Sequence, residues 1–271
     1  MKNILAFLFL CLMLACSTNE NVDCRTLTVT AEPYRYVVEA VAGEKWNVKT
    51  LVPKGGNPET FDPTVGDILA LANSKAYFMV GGLGFEDSWK DRISEIHPAL
   101  RLVDTSQGIS RDSGDPHLWT SPDNMLLIAQ NVCDALCEMD SLAANEYKAR
   151  LLLLNEKISA THNELSKRFE ALSQPAFMVF HPSLTYFARL YGLQQFAIEE
   201  EGKEPSAAHI KNVIDEARRA GVGLVFVQKE FDSKNAMIIA EEIGARVVEI
   251  NPLSYDWHNE LLRIADEMVK N

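Results

Sequence analysis

Along this chain, short runs rich in β-branched and other apolar residues alternate with longer segments whose apolar residues recur every three or four positions. In the first half the short runs are Thr26 to Thr30, Val48 to Val52, Ala76 to Val80 and Arg101 to Val103. In the second half they are Ala176 to Phe180, Gln195 to Ile198, Gly223 to Val227 and Arg246 to Ile250. Continuous apolar runs separated by helix-length segments indicate parallel strands covered on both faces. Four such runs in each half predict an α/β fold of two similar lobes, each with a four-stranded parallel sheet.

Between the halves the helical period takes over. Ser121 is a good N-cap and Pro122 suits the first helical position. Met125, Ile128, Val132, Leu136 and Met139 then form one apolar stripe. A second stripe runs through Ala144, Tyr147, Leu151, Leu154, Ile158, Leu165, Phe169 and Leu172, with no Gly or Pro between Leu142 and Leu172. Such a helix would be roughly 45 Å long, more than one lobe needs. A coiled-coil arm is one reading, but a helix running from lobe to lobe fits the flanking sheets better. The expected division is an N-terminal lobe at 25–140, a connecting helix at 141–173 and a C-terminal lobe at 174–271.

The start of the chain reads as a sorting signal rather than as part of the fold. Lys2 precedes an almost unbroken apolar run from Ile4 to Ala15. That run has the length of a signal-peptide core and is too short to span a bilayer. It ends Leu12-Met13-Leu14-Ala15-Cys16, which resembles the lipobox of bacterial lipoproteins, with Met13 in the usual Leu position. The resemblance implies cleavage after residue 15 and a lipid anchor on Cys16. Residues 16–24 are mostly polar and read as a tether.

Composition narrows the function. Apolar residues make up 47% of the chain, ample for a packed core, and the net charge is −12. An acidic surface excludes nucleic acid as a partner, because phosphates need a basic face. Beyond Cys11 and Cys16 only Cys24, Cys133 and Cys137 remain. Cys133 and Cys137 share a helix face and could look like a metal pair. Their neighbours Val132, Leu136 and Met139 make small buried hydrophobes the better reading.

In open parallel sheets, ligands bind beyond the carboxyl ends of the strands. Four of those ends carry a metal-competent group beside a proline: Pro58-Glu59, Pro116-His117, His181-Pro182 and Asn251-Pro252. Two come from each half. Proline restricts the backbone around it and helps to fix a ligand's direction.

From Thr26 to the C-terminus the chain resembles the zinc- and manganese-binding lipoproteins of ABC importers, the cluster A-I substrate-binding proteins. The strongest marks are Asp115-Pro116-His117-Leu118-Trp119-Thr120-Ser121-Pro122 and the segment from Phe180-His181-Pro182-Ser183 through Tyr191-Gly192-Leu193. Supporting marks are Gly82-Leu83-Gly84-Phe85-Glu86, Lys203-Glu204-Pro205-Ser206 and Asn251-Pro252-Leu253. The resemblance implies two lobes joined by a stiff helix, with a metal held between them. His117 and His181 match family ligand positions. Glu59 stands where the family usually has His, and Asn251 where many members have an Asp ligand. The His-rich loop that many zinc members carry is missing from Asp104 to Gly114.

The expected metal set is therefore Glu59, His117, His181 and Asn251, with His258 or a water as substitutes for Asn251. His97, His162 and His209 lie in helix-like or polar contexts and read as structural. Two imidazoles favour Zn2+, while the carboxylate and amide oxygens would tolerate Mn2+ or Fe2+. The metal is expected as transported cargo, handed to an ABC importer membrane permease by a monomer facing the periplasm or cell exterior. Two other functions fit the residues less well. A zinc hydrolase would need an open coordination position and a general base, and no HExxH arrangement is present. An adhesin role finds no repeat or low-complexity segment to support it. The chain is accordingly read as a binding protein and not an enzyme.

Overall fold

Eight strands form within a residue or two of the positions that the hydrophobic pattern marks. The computed structural model describes residues 25–111, 114–170, 172, 175–199, 205–231 and 234–270. The signal segment, Cys16, the tether and the Lys203-Glu204 pair lie outside the described residues.

The N-terminal lobe runs β1 (Thr26–Val29), α1 (Glu32–Ala42), β2 (Asn47–Thr50), α2 (Val65–Ala70), β3 (Ala76–Met79), α3 (Gly84–Ile96) and β4 (Arg101–Asp104). The middle of the chain is α4 (Pro122–Met139) and α5 (Ala144–Phe169). The C-terminal lobe runs β5 (Ala176–Val179), α6 (Thr185–Leu190), β6 (Gln194–Ala197), α7 (Ala207–Arg219), β7 (Leu224–Gln228), α8 (Lys234–Ile243), β8 (Arg246–Ile250) and α9 (Trp257–Val269).

Both sheets are wholly parallel and share one topology, β2-β1-β3-β4 in the first lobe and β6-β5-β7-β8 in the second. In each, the order reverses beside the first strand, which opens a crevice at the carboxyl edge. β1 and β3 are buried at every position, as strands covered on both faces require.

Glu86 fastens that edge in the first lobe. Its carboxylate accepts the backbone N–H of Val80 at 2.9 Å and of Gly81 at 2.7 Å, and it is bonded to Thr30. Burial outweighs these bonds and pushes the Glu86 carboxyl up to about 7. The turn beneath it needs glycine. Gly82 has φ +82°, and a Cβ there would lie 2.2 Å from the Arg111 guanidinium.

The middle of the chain behaves as its stripes predict. The Ser121 hydroxyl caps α4 by accepting from Asn124 N, with Pro122 in its first turn. Cys133 is buried and Cys137 half-buried, their sulfurs 3.9 Å apart. Neither belongs to a metal-competent cluster among the described residues.

The connecting helix α5 is 26 residues long and roughly 39 Å in length. It starts two residues after Leu142 because residues 141–143 form a 3₁₀ turn, capped by the Asp140 side chain on Ala143 N. It packs on α1 and α4 on one side and on α9 on the other. Tyr147, Leu151, Leu154, Ile158, Leu165 and Phe169 are all buried. They belong to one apolar cluster that also holds Leu27 and Phe78 of the first sheet and Phe177 and Phe226 of the second. The lobes therefore share a core along the connector.

Candidate metal centre

Three of the four expected ligands converge between the lobes, each carried on a loop at the carboxyl end of a strand. Glu59 follows β2. Its backbone N–H donates to Asn57 Oδ1 at 2.8 Å, a local turn that sets the direction of the side chain. Phe61, two residues on, packs edge-to-face on Phe85 at 5.2 Å and pins the loop to its lobe.

His117 follows β4 and opens a 3₁₀ turn at Leu118–Thr120. One oxygen of Asp115 takes both the backbone N–H of His117 at 2.8 Å and its Nδ1 at 2.7 Å. Pro116 between them restricts the backbone around this two-point grip.

His181 follows β5 on the opposite lobe. Its backbone N–H donates to Gln228 Oε1 at 3.2 Å, and the Gln228 amide returns bonds to His181 O and to Ser183 Oγ. Its Nδ1 bonds Glu199 Oε2 at 2.7 Å. The Phe231 ring stacks on the imidazole with centroids 4.9 Å apart and planes 18° from parallel.

With each Nδ1 committed to a carboxylate, each ring presents Nε2 to the other lobe. The two Nε2 atoms stand 3.3 Å apart. Glu59 Oε1 stands 3.3 Å from one and 3.4 Å from the other. A regular tetrahedron of N and O ligands with bonds of about 2.05 Å has edges of about 3.3 Å. The three atoms thus have the spacing that one face of a tetrahedral metal shell requires. Glu59, His117 and His181 are the metal-competent cluster among the described residues.

The electrostatics match a cation site held by a proton. Burial works to push His181 down, but hydrogen bonds to Glu199 and Glu59 and their charges outweigh it, raising the imidazole to about 9. Burial likewise works to raise Glu59, and its bond to His181 and the charge of His117 hold it below the usual carboxylate range. Asp115 is also lowered, as the His117 hydrogen bond overcomes burial. A positive charge is therefore favoured where the three groups meet. Carboxylate partners on Nδ1 also fix tautomer and ring orientation and make the facing nitrogen a better donor.

The fourth expected residue lines a different space from the two histidines. Asn251 follows β8 and lines the open cleft beside the cluster, a space of about 470 Å³. Its backbone N–H bonds Glu260, while its Oδ1 is buried with no hydrogen-bond partner among the described residues. His258 points elsewhere: its Nδ1 is 2.5 Å from Thr161 Oγ1 of α5, so this substitute is engaged by the connector. His97 bonds Ile68 O and His162 bonds Tyr191, both away from the cluster. The backbone N–H of His209 bonds the N-cap Ser206.

Sequence reasoning missed the two orienting carboxylates. Asp115 was legible, because Asp-Pro-His places an acceptor two residues before a ligand. Glu199 was not, because it reaches His181 from the end of the neighbouring strand β6.

The wider molecule matches known proteins along most of its length. Residues 27–266 match the family described as ZnuA, zinc-uptake complex component A, periplasmic. A crystal structure of ZnuA shares the fold with a TM-score of 0.85 at 35% identity, over 90% of this chain and 97% of that one. A candidate metal-binding protein of Treponema pallidum (strain Nichols) is 25% identical over 265 residues, which is 88% of this chain and 83% of that relative. The zinc-binding protein AdcA of Streptococcus pyogenes serotype M3 is 21% identical over 262 residues, 84% of this chain and 50% of AdcA.

Proposed function

This chain belongs to the ZnuA family of periplasmic zinc-uptake components, and from that premise we propose how it captures its cargo. The protein takes up a divalent transition metal, zinc favoured, for an ABC importer. The proposed ligands are Glu59 Oε1, His117 Nε2 and His181 Nε2, with Asn251 Oδ1 as the fourth donor. The observation that carries this reading is the near-equilateral triangle of ligand atoms, with edges of 3.3, 3.3 and 3.4 Å drawn from two lobes. Nothing but the proteins' own donors is needed to make that face of the shell.

Zinc is preferred over manganese or iron because two imidazoles and tetrahedral edges suit it. The role is binding rather than catalysis: the family is one of substrate-binding proteins, and the buried histidines leave little room for a second reactant. The small cavity that both histidines line has a volume of about 20 Å³, enough for one water-sized occupant.

Among the described residues no helix is long and apolar enough to cross a membrane. Attachment is proposed through a lipid on Cys16, from the lipobox-like Leu14-Ala15-Cys16, and the working unit is proposed to be a monomer.

Titration calorimetry with zinc tests the site. The wild type should bind one equivalent, and His117→Ala and His181→Ala should lose it. Wild-type affinity in both variants would remove the inter-lobe site. Cys16→Ser should free the exported protein from the membrane fraction, and retention would remove the anchor.

A further inference from the structure

Two cavities meet at the inter-lobe site. The small one is lined by His117 and His181. The large one, about 470 Å³, is the open cleft. Three residues line both: Pro58, Glu230 and Leu253. Of these only Glu230 carries a charge, so an ion moving from the cleft to the histidines passes one carboxylate.

Glu230 is held in place for this. It sits in the turn that closes β7, where Phe231 N donates to Gln228 O at 3.1 Å. The next ring, Phe231, stacks on His181, and Gln228 grips the His181 backbone from the other side. The turn that carries Glu230 is thus fastened to a proposed ligand at two points.

Glu230 is also tied to no other side chain. It is half-buried; its carboxylate bonds its own backbone N–H and has no ion pair or other side-chain partner among the described residues. The other acids around the cluster are occupied, Asp115 by His117 and Glu199 by His181. It does not itself join the triangle of ligand atoms.

We propose that Glu230 is a transit carboxylate: it takes the hydrated divalent ion at the neck of the cleft and passes it to Glu59, His117 and His181. This rests on the metal site argued above. A group that binds the ion only in passage lowers the barrier in both directions. It speeds capture and release alike and leaves the equilibrium nearly untouched. An acid that worked only through the general field of the cleft would be matched by any other acid on its wall. Asp256 is such a residue, lining the cleft but not the small cavity.

Stopped-flow zinc binding, followed by tryptophan fluorescence, to which Trp119 beside His117 contributes, tests this on the full chain. Glu230→Gln should slow association by about tenfold, the lower end of what local charge does to on-rates. Dissociation should slow to match, with the equilibrium constant changed less than about threefold. Glu230→Asp should keep most of the rate, and Asp256→Asn should resemble the wild type. An unchanged association rate in Glu230→Gln overturns the proposal. So does equal slowing in Asp256→Asn, which would assign the effect to the field alone. So does a large loss of affinity at unchanged association rate, which would make Glu230 a resident ligand. His117→Ala in the same instrument keeps the two readings apart: if it binds zinc like the wild type, the metal site is wrong, whatever Glu230 does.

Discussion

His117 and His181 stand 64 positions apart on opposite lobes, yet their Nε2 atoms face each other across 3.3 Å. Two neutral imidazole nitrogens at that distance would set lone pair against lone pair. The contact is favourable only with a cation between or beside them, either a proton or a metal. Glu59 completes the arrangement by placing one negative charge against both rings.

Removing any one corner of the triangle should therefore be costly. Structural zinc sites supply about 10–16 kcal/mol over four ligands, so each is worth about 3 kcal/mol. That corresponds to a loss of about a hundredfold or more in affinity for His117→Ala, His181→Ala or Glu59→Ala. Competition against a chelator of known affinity gives the numbers. A loss below about threefold in any of them would take that residue out of the shell.

The carboxylates behind the rings should matter less, but measurably. Asp115 and Glu199 hold Nδ1 of their respective histidines at 2.7 Å. Partners of this kind are typically worth about 10–100-fold in metal affinity. Asp115→Ala and Glu199→Ala should fall in that range, with the zinc absorption spectrum still showing two imidazoles. Loss of an imidazole from the spectrum would mean that the carboxylates act as ligands themselves.

The pH dependence follows from His181. Its imidazole sits at about 9 in the metal-free protein, above its ordinary value near 6.5. Metal needs the neutral ring, so below about 9 each ion must displace a proton. Affinity should fall about tenfold per pH unit from pH 8.5 down to 6.5. The metal-free fold responds in the opposite sense. A raised pKa stabilises it fully below the unfolded value, and that stabilisation is lost as pH rises through about 9. Calorimetry in buffers of different ionisation heat should find one proton released per zinc at pH 7.5. Release of none would place His181 in its neutral form already.

How much of this was open to a reader of the sequence depends on how local each cause is. The central strands β1, β3, β5 and β7 were legible because their mostly apolar runs bury both faces of a parallel sheet. The edge strand β8 also runs Arg246–Ile250, as its pattern marks it, although most of it is exposed. The ends of α5 were less so, since Asp140 turns residues 141–143 into a 3₁₀ start that no periodicity signals. His117 and His181 could be picked out because proline-bounded loops follow their strands. The Glu199 contact and the placement of Glu230 depend on which strands lie side by side, and adjacency in a sheet is not written in any short motif.

The lobes should move little when metal leaves. Trp119 Nε1 donates to Pro252 O at 2.9 Å, Trp257 Nε1 donates to Trp119 O at 2.6 Å, and Tyr186 OH donates to Asp115 O at 2.8 Å. These bonds tie loops of both lobes beneath the site, and α5 carries no Gly or Pro to bend at. Solution scattering should give nearly the same radius of gyration with and without zinc. Ile158→Ala, in the fully buried face of the connector, should destabilise the metal-free protein by about 2–5 kcal/mol in urea unfolding. A large compaction on zinc addition would mean that the shared core parts when the site empties.

Asn251 offers the most informative single change. Its Oδ1 is buried without a hydrogen-bond partner among the described residues, which costs about 1–3 kcal/mol unless a group outside the chain bonds it. A cation in the adjoining cluster is one such partner. Glu59 alone leaves a divalent ion with one residual positive charge, and a neutral amide does nothing to cancel it. Asn251→Asp would bring the second negative charge and should tighten zinc binding by about tenfold. Asn251→Ala should cost less than loss of either histidine, because a water can take the position. Calorimetry on the two variants tests both statements. If Asn251→Asp binds no better than the wild type while Asn251→Ala is unchanged, Oδ1 does not reach the ion, and the fourth ligand is a water.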